Sequence, residues 1–166
     1  MSTAVCPGSF DPITLGHVDV VRRARSMLDE VVVAVAHNSS KSALLSPPQR
    51  VALAQDALAG IDGVRVVATH GLLVDLVREV GAQAVVKGLR SGADLDAELA
   101  MALMNRHLSG VETVFVVGDP ARAHIASSLV KDVARHGGPI EDMVTPAVAA
   151  AVRHALAPVD TGGDGR

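Results

Sequence analysis

The sequence predicts an α/β fold: a Rossmann-like five-stranded parallel sheet with helices on both faces, in a single domain. Three observations predict it. Five short Val-rich runs alternate with longer segments of helical period. The runs are continuously apolar, as strands buried on both faces are. The order strand–helix recurs along the chain, and that order implies a parallel sheet.

Thr3–Pro7 is the first strand, closed by Pro7-Gly8. Thr14 is the expected N-cap of a helix over Leu15–Leu28. The run Glu30–Ala36 is the second strand, and Pro47-Pro48 marks the passage into a helix over Pro48–Ala59, with Pro48 in its first turn. Val64–Thr69 and Ala84–Lys87 read as strands flanking a helix over Leu72–Val80. Asp94–Leu108 is helical, with Asp94, Asp96 and Glu98 near its start, where acids offset the helix dipole. Thr113–Val117 is the fifth strand, and helices follow at Ser127–Arg135, with Gly137 as its C-cap, and at Pro146–Leu156. The domain is thus residues 1–157. Residues 158–166, rich in Gly and Asp, are expected to be a disordered tail. No internal repeat is present.

A chain of 166 residues, 49% hydrophobic, can bury one real core. With aromatics at 1% that core is aliphatic, and stacking platforms for single-stranded nucleic acid are excluded. A net charge of −3 gives no overall pull toward nucleic acid or an anionic membrane, so any anion site is a local cluster. A single cysteine, Cys6, allows neither an internal disulfide nor a cysteine zinc cluster, and its apolar run makes it a buried thiol. No apolar run reaches the roughly 20 residues of a membrane span, and the N-terminus has no signal-peptide pattern. Cytoplasm is the expected location.

Three constellations carry the chemistry. The first is the loop Gly8-Ser9-Phe10-Asp11-Pro12-Ile13-Thr14-Leu15-Gly16-His17. Gly8 lets a ligand approach the backbone, and Ser9 offers a hydroxyl and an amide. Gly16 and His17 fall in a first helical turn, where unpaired amides favour anions. Neither a dinucleotide-binding G-x-G-x-x-G nor a Walker P-loop occurs. The second is cationic: Lys41 after the second strand, and Lys87-Gly88-Leu89-Arg90 after the fourth. Arg90 suits a forked contact with phosphate oxygens and Lys87 a point-charge contact. Met101 and Met104 downstream read as core or subunit contacts. The third is Ile125-Ala126-Ser127-Ser128-Leu129-Val130-Lys131, a serine-rich helix start suited either to phosphate binding or to plain capping.

The first constellation resembles the T/H-x-G-H motif of the nucleotidyltransferase superfamily. The second, with Ala93-Asp94 and the run Met104-Asn105-Arg106-His107-Leu108, resembles the matching segment of the bacterial phosphopantetheine adenylyltransferase family. The third resembles the superfamily's I-S-S-[ST]-x-[VL]-[RK] signature. The resemblance runs from about Val5 to Leu156. Three places depart from the family pattern: Ala126 replaces a serine, Lys87 replaces an arginine, and Arg122, Ala123 and His124 stand where an aromatic residue is usual.

The resemblance implies transfer of the adenylyl group of ATP to 4′-phosphopantetheine, giving dephospho-CoA and pyrophosphate by direct in-line attack. It implies that His17 stabilises the transition state, with Lys41 and Arg90 as the other catalytic groups. It implies an ATP site of Ser9, Phe10, His17, Gly88, Leu89, Arg90, Glu98 and the stretch Arg122, Ala123, His124, Ile125, Ala126, Ser127 and Ser128. It implies a phosphopantetheine site of Ser9, Lys41, Leu73 and Lys87, Mg²⁺ arriving with the triphosphate and no assigned protein ligand for it, and a homohexamer built as a dimer of trimers. Nucleic-acid and membrane partners are not expected. The acceptor phosphate is already anionic, so the reaction asks for positioning and charge stabilisation and for no enzyme nucleophile. The competing readings are a nucleotidyltransferase with another phosphate acceptor, a nucleotide-binding module without turnover, and an interaction protein using its apolar helices.

Overall fold

The computed structural model describes residues 1–37 and 42–158. Five strands, β1 (Thr3–Gly8), β2 (Glu30–Ala36), β3 (Val64–Thr69), β4 (Ala84–Leu89) and β5 (Glu112–Val117), alternate with helices. These are α1 (Leu15–Arg25), α2 (Pro47–Leu58), α3 (Leu73–Glu79), α4 (Gly92–Ser109), α5 (Ser127–Arg135) and α6 (Pro146–Leu156). The strands form one parallel sheet in the order β3-β2-β1-β4-β5. The sequence reading therefore holds for architecture and for every element, with shifts at the ends.

Both faces of the sheet are covered, which is why the central strands read as unbroken apolar runs. Val31, Val33 and Val35 point into the core built with α1, α2, α5 and α6. Their neighbours Val32 and Ala34 point the other way, into a smaller core with Val74, Leu76 and Val77 of α3. The edge strands β3 and β5 are partly exposed, and β5 alternates in burial, unlike the uniformly buried strands the sequence suggested. Helix α1 ends three residues before the expected Leu28. The Ser26 hydroxyl donates to the Arg23 carbonyl at 2.7 Å, and Arg25 reaches forward to the Leu28 carbonyl at 2.8 Å, so the chain leaves the helical path there. A 3₁₀ turn at Pro120–Arg122, not anticipated, is capped by the Asp119 carboxylate.

The strand order reverses between β1 and β4, the switch point at which ligands of such sheets bind. The pairing there is short. β1 pairs with β2 as far as Gly8 and β4 pairs with β5 as far as Leu89. Between β1 and β4, however, the register covers only Ala4 with Ala84 and Val5 with Val85. Beyond that point the two strands part, and Cys6, Pro7, Gly8, Val86, Lys87 and Gly88 line the cleft that opens between them.

Gly88 has a packing reason as well as a place in that cleft. A Cβ at this position would meet Val20 Cγ2 of α1 at 2.6 Å, and a branched helical side chain has little freedom to yield. Gly88→Ala is therefore expected to destabilise the fold by about 1–3 kcal/mol, measured by denaturant unfolding against the wild type. An unchanged midpoint would show that α1 can move away.

Candidate active site

The cleft at the switch point has a volume of about 380 Å³. Its walls come from the β1–α1 loop, the end of β4, the face of α4 and the segment between β5 and α5. Of the residues singled out in the sequence, Phe10, His17, Lys87, Gly88, Arg90, Glu98, Arg122, Ile125, Ala126, Ser127 and Ser128 line it. Ser9 lines a second hollow of about 300 Å³, which shares Phe10, His17 and Ser127 with the first. Leu89, Ala123 and His124 are neighbours in sequence of lining residues without lining the cleft, and Leu73, at the start of α3, lines neither hollow. Lys41 lies outside the described residues, as does the tail beyond Pro158.

His17 is seated by its own helix. Thr14 is the N-cap of α1, and His17 occupies the third helical position of a capping box. The His17 amide donates to the Thr14 hydroxyl at 3.4 Å, and the Thr14 amide donates back to His17 Nδ1 at 3.0 Å. Because Nδ1 accepts an N–H, the proton of the neutral ring sits on Nε2. That leaves an N–H donor for the cleft. The Phe10 ring stands edge-on to the imidazole, centroid to centroid 5.1 Å. Burial, with the charges of Arg90 and Lys87 adding to it, pushes the imidazole down to about 4. The ring is thus neutral near pH 7.

An NMR titration of the ligand-free protein should accordingly show His17 unprotonated from pH 7.5 to about 5.5, whereas an ordinary histidine is half protonated near 6.5. The sign for stability follows. The unfolded chain binds the His17 proton below about 6.5 while the folded chain does not, so this group's support for folding is present above that pH and is lost as the pH falls toward 4. A titration midpoint near 6.5 would remove the argument for a neutral donor.

Lys87 and Arg90 are each paired with a carboxylate. Lys87 pairs with Glu98 at 3.0 Å. Arg90 is gripped by Asp94, which takes its Nε at 3.1 Å, its Nη2 at 3.0 Å and its backbone amide at 2.8 Å. Those hydrogen bonds from Arg90 hold the Asp94 carboxyl below the usual carboxylate range. Arg90 Nη1 also donates to the Ile125 carbonyl at 3.1 Å, tying the end of β4 to the approach to α5. Arg122 Nη1 donates to the Leu15 carbonyl at 3.2 Å and closes the wall on the α1 side.

The opening of α5 differs from simple capping. Its N-cap is Ala126, which offers no side-chain acceptor. The Ser127 hydroxyl is engaged elsewhere, donating to the Pro12 carbonyl at 2.8 Å. The first amides of α5 therefore face the cleft without a cap, an arrangement suited to an anion. At the other end the C-cap is His136, with Gly137 at φ 73° just beyond it; a left-handed residue belongs after the cap.

Three positions confirm or narrow simpler readings. Cys6 is buried, and burial pushes its thiol up to about 11, partly offset by Lys87; it is an inert wall residue. Met101 and Met104 are exposed on α4, which removes the core reading and leaves the subunit-contact one.

Some participants gave no motif signal. Asp11, buried in the loop, accepts the amides of Leu44 and Leu45, both at 2.9 Å, and the Lys131 ammonium at 2.8 Å. Burial pushes its carboxyl up, but Lys131 and the two amides outweigh this, and the net shift is downward. Arg50, with 3% of its surface exposed, lines the second hollow. Its signal was available: Arg50, Ala54 and Leu58 are the buried stripe of α2, so an arginine occupies a core register.

Among the described residues no group of three or more His, Cys, Asp or Glu side chains is placed to hold a metal. No described helix is long and apolar enough to cross a membrane.

Known proteins resemble this chain over most of its length. The family described as Cytidylyltransferase-like matches residues 5–133. A phosphopantetheine adenylyltransferase of Nocardioides sp. is 51% identical over 148 residues, covering 89% of this chain and 93% of the relative. That of Bifidobacterium longum is 49% identical over 159 residues, covering 95% and 96%. A candidate nicotinate-nucleotide adenylyltransferase from Vibrio parahaemolyticus superposes with a TM-score of 0.64 over 92% of this chain and 99% of its own, at 20% identity, a likeness of fold. The chain therefore belongs to the cytidylyltransferase-like family and, within it, to the phosphopantetheine adenylyltransferases.

Proposed function

We propose that this chain transfers the adenylyl group of ATP to 4′-phosphopantetheine, forming dephospho-CoA and releasing pyrophosphate. The observation that carries the reading is convergence. A neutral imidazole donor, two basic side chains and the uncapped amides of a helix start all border one cleft at the switch point. Such a set serves a bound polyanion and a reaction at phosphorus that needs positioning and charge stabilisation.

In this reading an oxygen of the acceptor phosphate attacks the α-phosphorus of ATP. The bond from that phosphorus to the bridging oxygen of pyrophosphate breaks, and pyrophosphate leaves with the electron pair. His17 Nε2–H donates to an α-phosphate oxygen as charge builds there. Arg90 and the α5 amides hold the β- and γ-phosphates. Lys87 and Ser9, together with Lys41, take the acceptor phosphate. Gly16, Arg122 and Ile125 border the space for the nucleoside. Asp94 and Glu98 are the counter-ions of Arg90 and Lys87 and give up these partners to phosphate. Mg²⁺ is read as part of the substrate, carried by the triphosphate, and no protein ligand is assigned to it.

The same reading includes a cytoplasmic homohexamer. Leu99, Met101, Leu103, Met104 and Leu108 of α4 and Val114 and Val117 of the edge strand β5 are exposed, apolar surface suited to subunit contact. The deciding experiment is a turnover assay with ATP, Mg²⁺ and 4′-phosphopantetheine, following dephospho-CoA and pyrophosphate in equal amounts. Pyrophosphate release with a different phosphate acceptor, and none with this one, would transfer the assignment to another adenylyl acceptor.

A further inference from the structure

Arg50 is a charged residue in a core register, and its hydrogen bonds go to the carbonyls of two residues that line the second hollow. Nη1 donates to the Ser9 carbonyl at 2.6 Å and to the Ala36 carbonyl at 2.8 Å. The first lies in the β1–α1 loop and the second at the exit of β2. Its Nε is buried without a partner. A buried guanidinium left partly unsatisfied is a poor stabiliser of a fold, and an aliphatic side chain of similar length would serve the core as well or better. Stability alone does not account for it.

The carbonyl it grips belongs to the Ser9–Phe10 peptide. Phe10 has φ 47°, the one positive value among the described residues other than glycine. An aromatic side chain in that region is strained and needs its surroundings to hold it there. The turn presses the Phe10 ring, 4% exposed, edge-on against the His17 imidazole. Gly8 takes part in the same fit: a Cβ on it would come within 3.0 Å of the Phe10 ring.

We infer that Arg50 is a positioning residue for adenylyl transfer. It holds the Ser9–Phe10 peptide in its left-handed turn, so that the Phe10 ring fixes the orientation of the His17 donor, and it locks that turn to the exit of β2. The inference rests on the reading of the cleft as an adenylyl-transfer site. Arg50 touches neither substrate in it. Without the bridge the peptide is free to relax, and a donor displaced by an ångström can lose on the order of 10²-fold in rate. The ATP side is tied separately, through Arg90 to Ile125 and Asp19 to the Asp119 amide. The loss should therefore fall on turnover rather than on ATP affinity.

The test is Arg50→Met beside Arg50→Lys and the wild type. Arg50→Met should keep its melting temperature and bind a non-hydrolysable ATP analogue within about twofold of wild type, while kcat falls between about tenfold and 10²-fold. The His17 ring resonances should shift in the ligand-free variant. Arg50→Lys keeps a donor but not the planar head, and should fall between the two. A folded Arg50→Met protein with wild-type kcat and unmoved His17 resonances overturns the inference. If Arg50→Met does not fold, Arg50→Lys decides alone: unchanged kcat and unmoved His17 signals overturn it. Should the wild type make no dephospho-CoA, the functional reading fails, and the His17 resonances still judge the positioning role.

Discussion

His17→Ala should lower kcat about 10²–10³-fold, equivalent to about 3–4 kcal/mol of barrier, while an ATP analogue still binds. The ring is held by the Thr14 amide on Nδ1, which fixes the proton on Nε2 and aims a neutral donor at the cleft. Such a donor stabilises the charge that develops on the α-phosphate during attack more than the charge already present in the ground state, so its loss belongs to kcat. Alanine also removes the returning half of the capping box, which costs α1 on the order of 1 kcal/mol. A melting curve must therefore accompany the kinetics. A folded His17→Ala protein turning over at near-normal speed would contradict the assigned role.

Arg90→Ala should be as damaging, by a different route: kcat/KM for ATP should fall about 10²–10³-fold. Three consequences combine. The cleft loses a forked donor, the Ile125 carbonyl loses its tie to β4, and the Asp94 carboxylate is left in the cleft without its partner. The last adds repulsion toward the triphosphate. Arg90→Ala with Asp94→Asn should consequently bind ATP better than Arg90→Ala alone, a coupling that a double-mutant cycle reads directly. If the two changes are simply additive, Asp94 is not the counter-ion of Arg90 in solution.

Much of the fold was legible because the signals were local. Thr14 as a cap, Pro47 and Pro48 at a helix start and the Val-rich strands each announce themselves within a few residues. The edges of the sheet were less so, since β3 and β5 are as rich in valine as the strands between them, and only strand order makes them partly exposed. In the site, the T-x-G-H loop and the Lys87–Arg90 run could be read as anion-binding from residue type and spacing. The partners of those residues could not. Lys87 meets Glu98 only because α4 folds back along β4. Asp11 meets Leu44, Leu45 and Lys131, and Arg50 meets Ser9, across separations that only the parallel crossovers close. Gly88 was read from the sequence as part of the ATP site, and its contact to Val20 could not be read there.

The pairing of Lys87 with Glu98 and of Arg90 with Asp94 bears on what the cleft ignores. A lone chloride or sulfate arriving from the medium can meet the uncapped amides of α5, but to reach Lys87 or Arg90 it must first draw that cation from its carboxylate. A nucleoside triphosphate displaces several such partners at once and meets the helix amides in the same step, so its gains add while each separate exchange stays nearly neutral. Common inorganic ions should thus be weak competitors even at concentrations far above that of ATP.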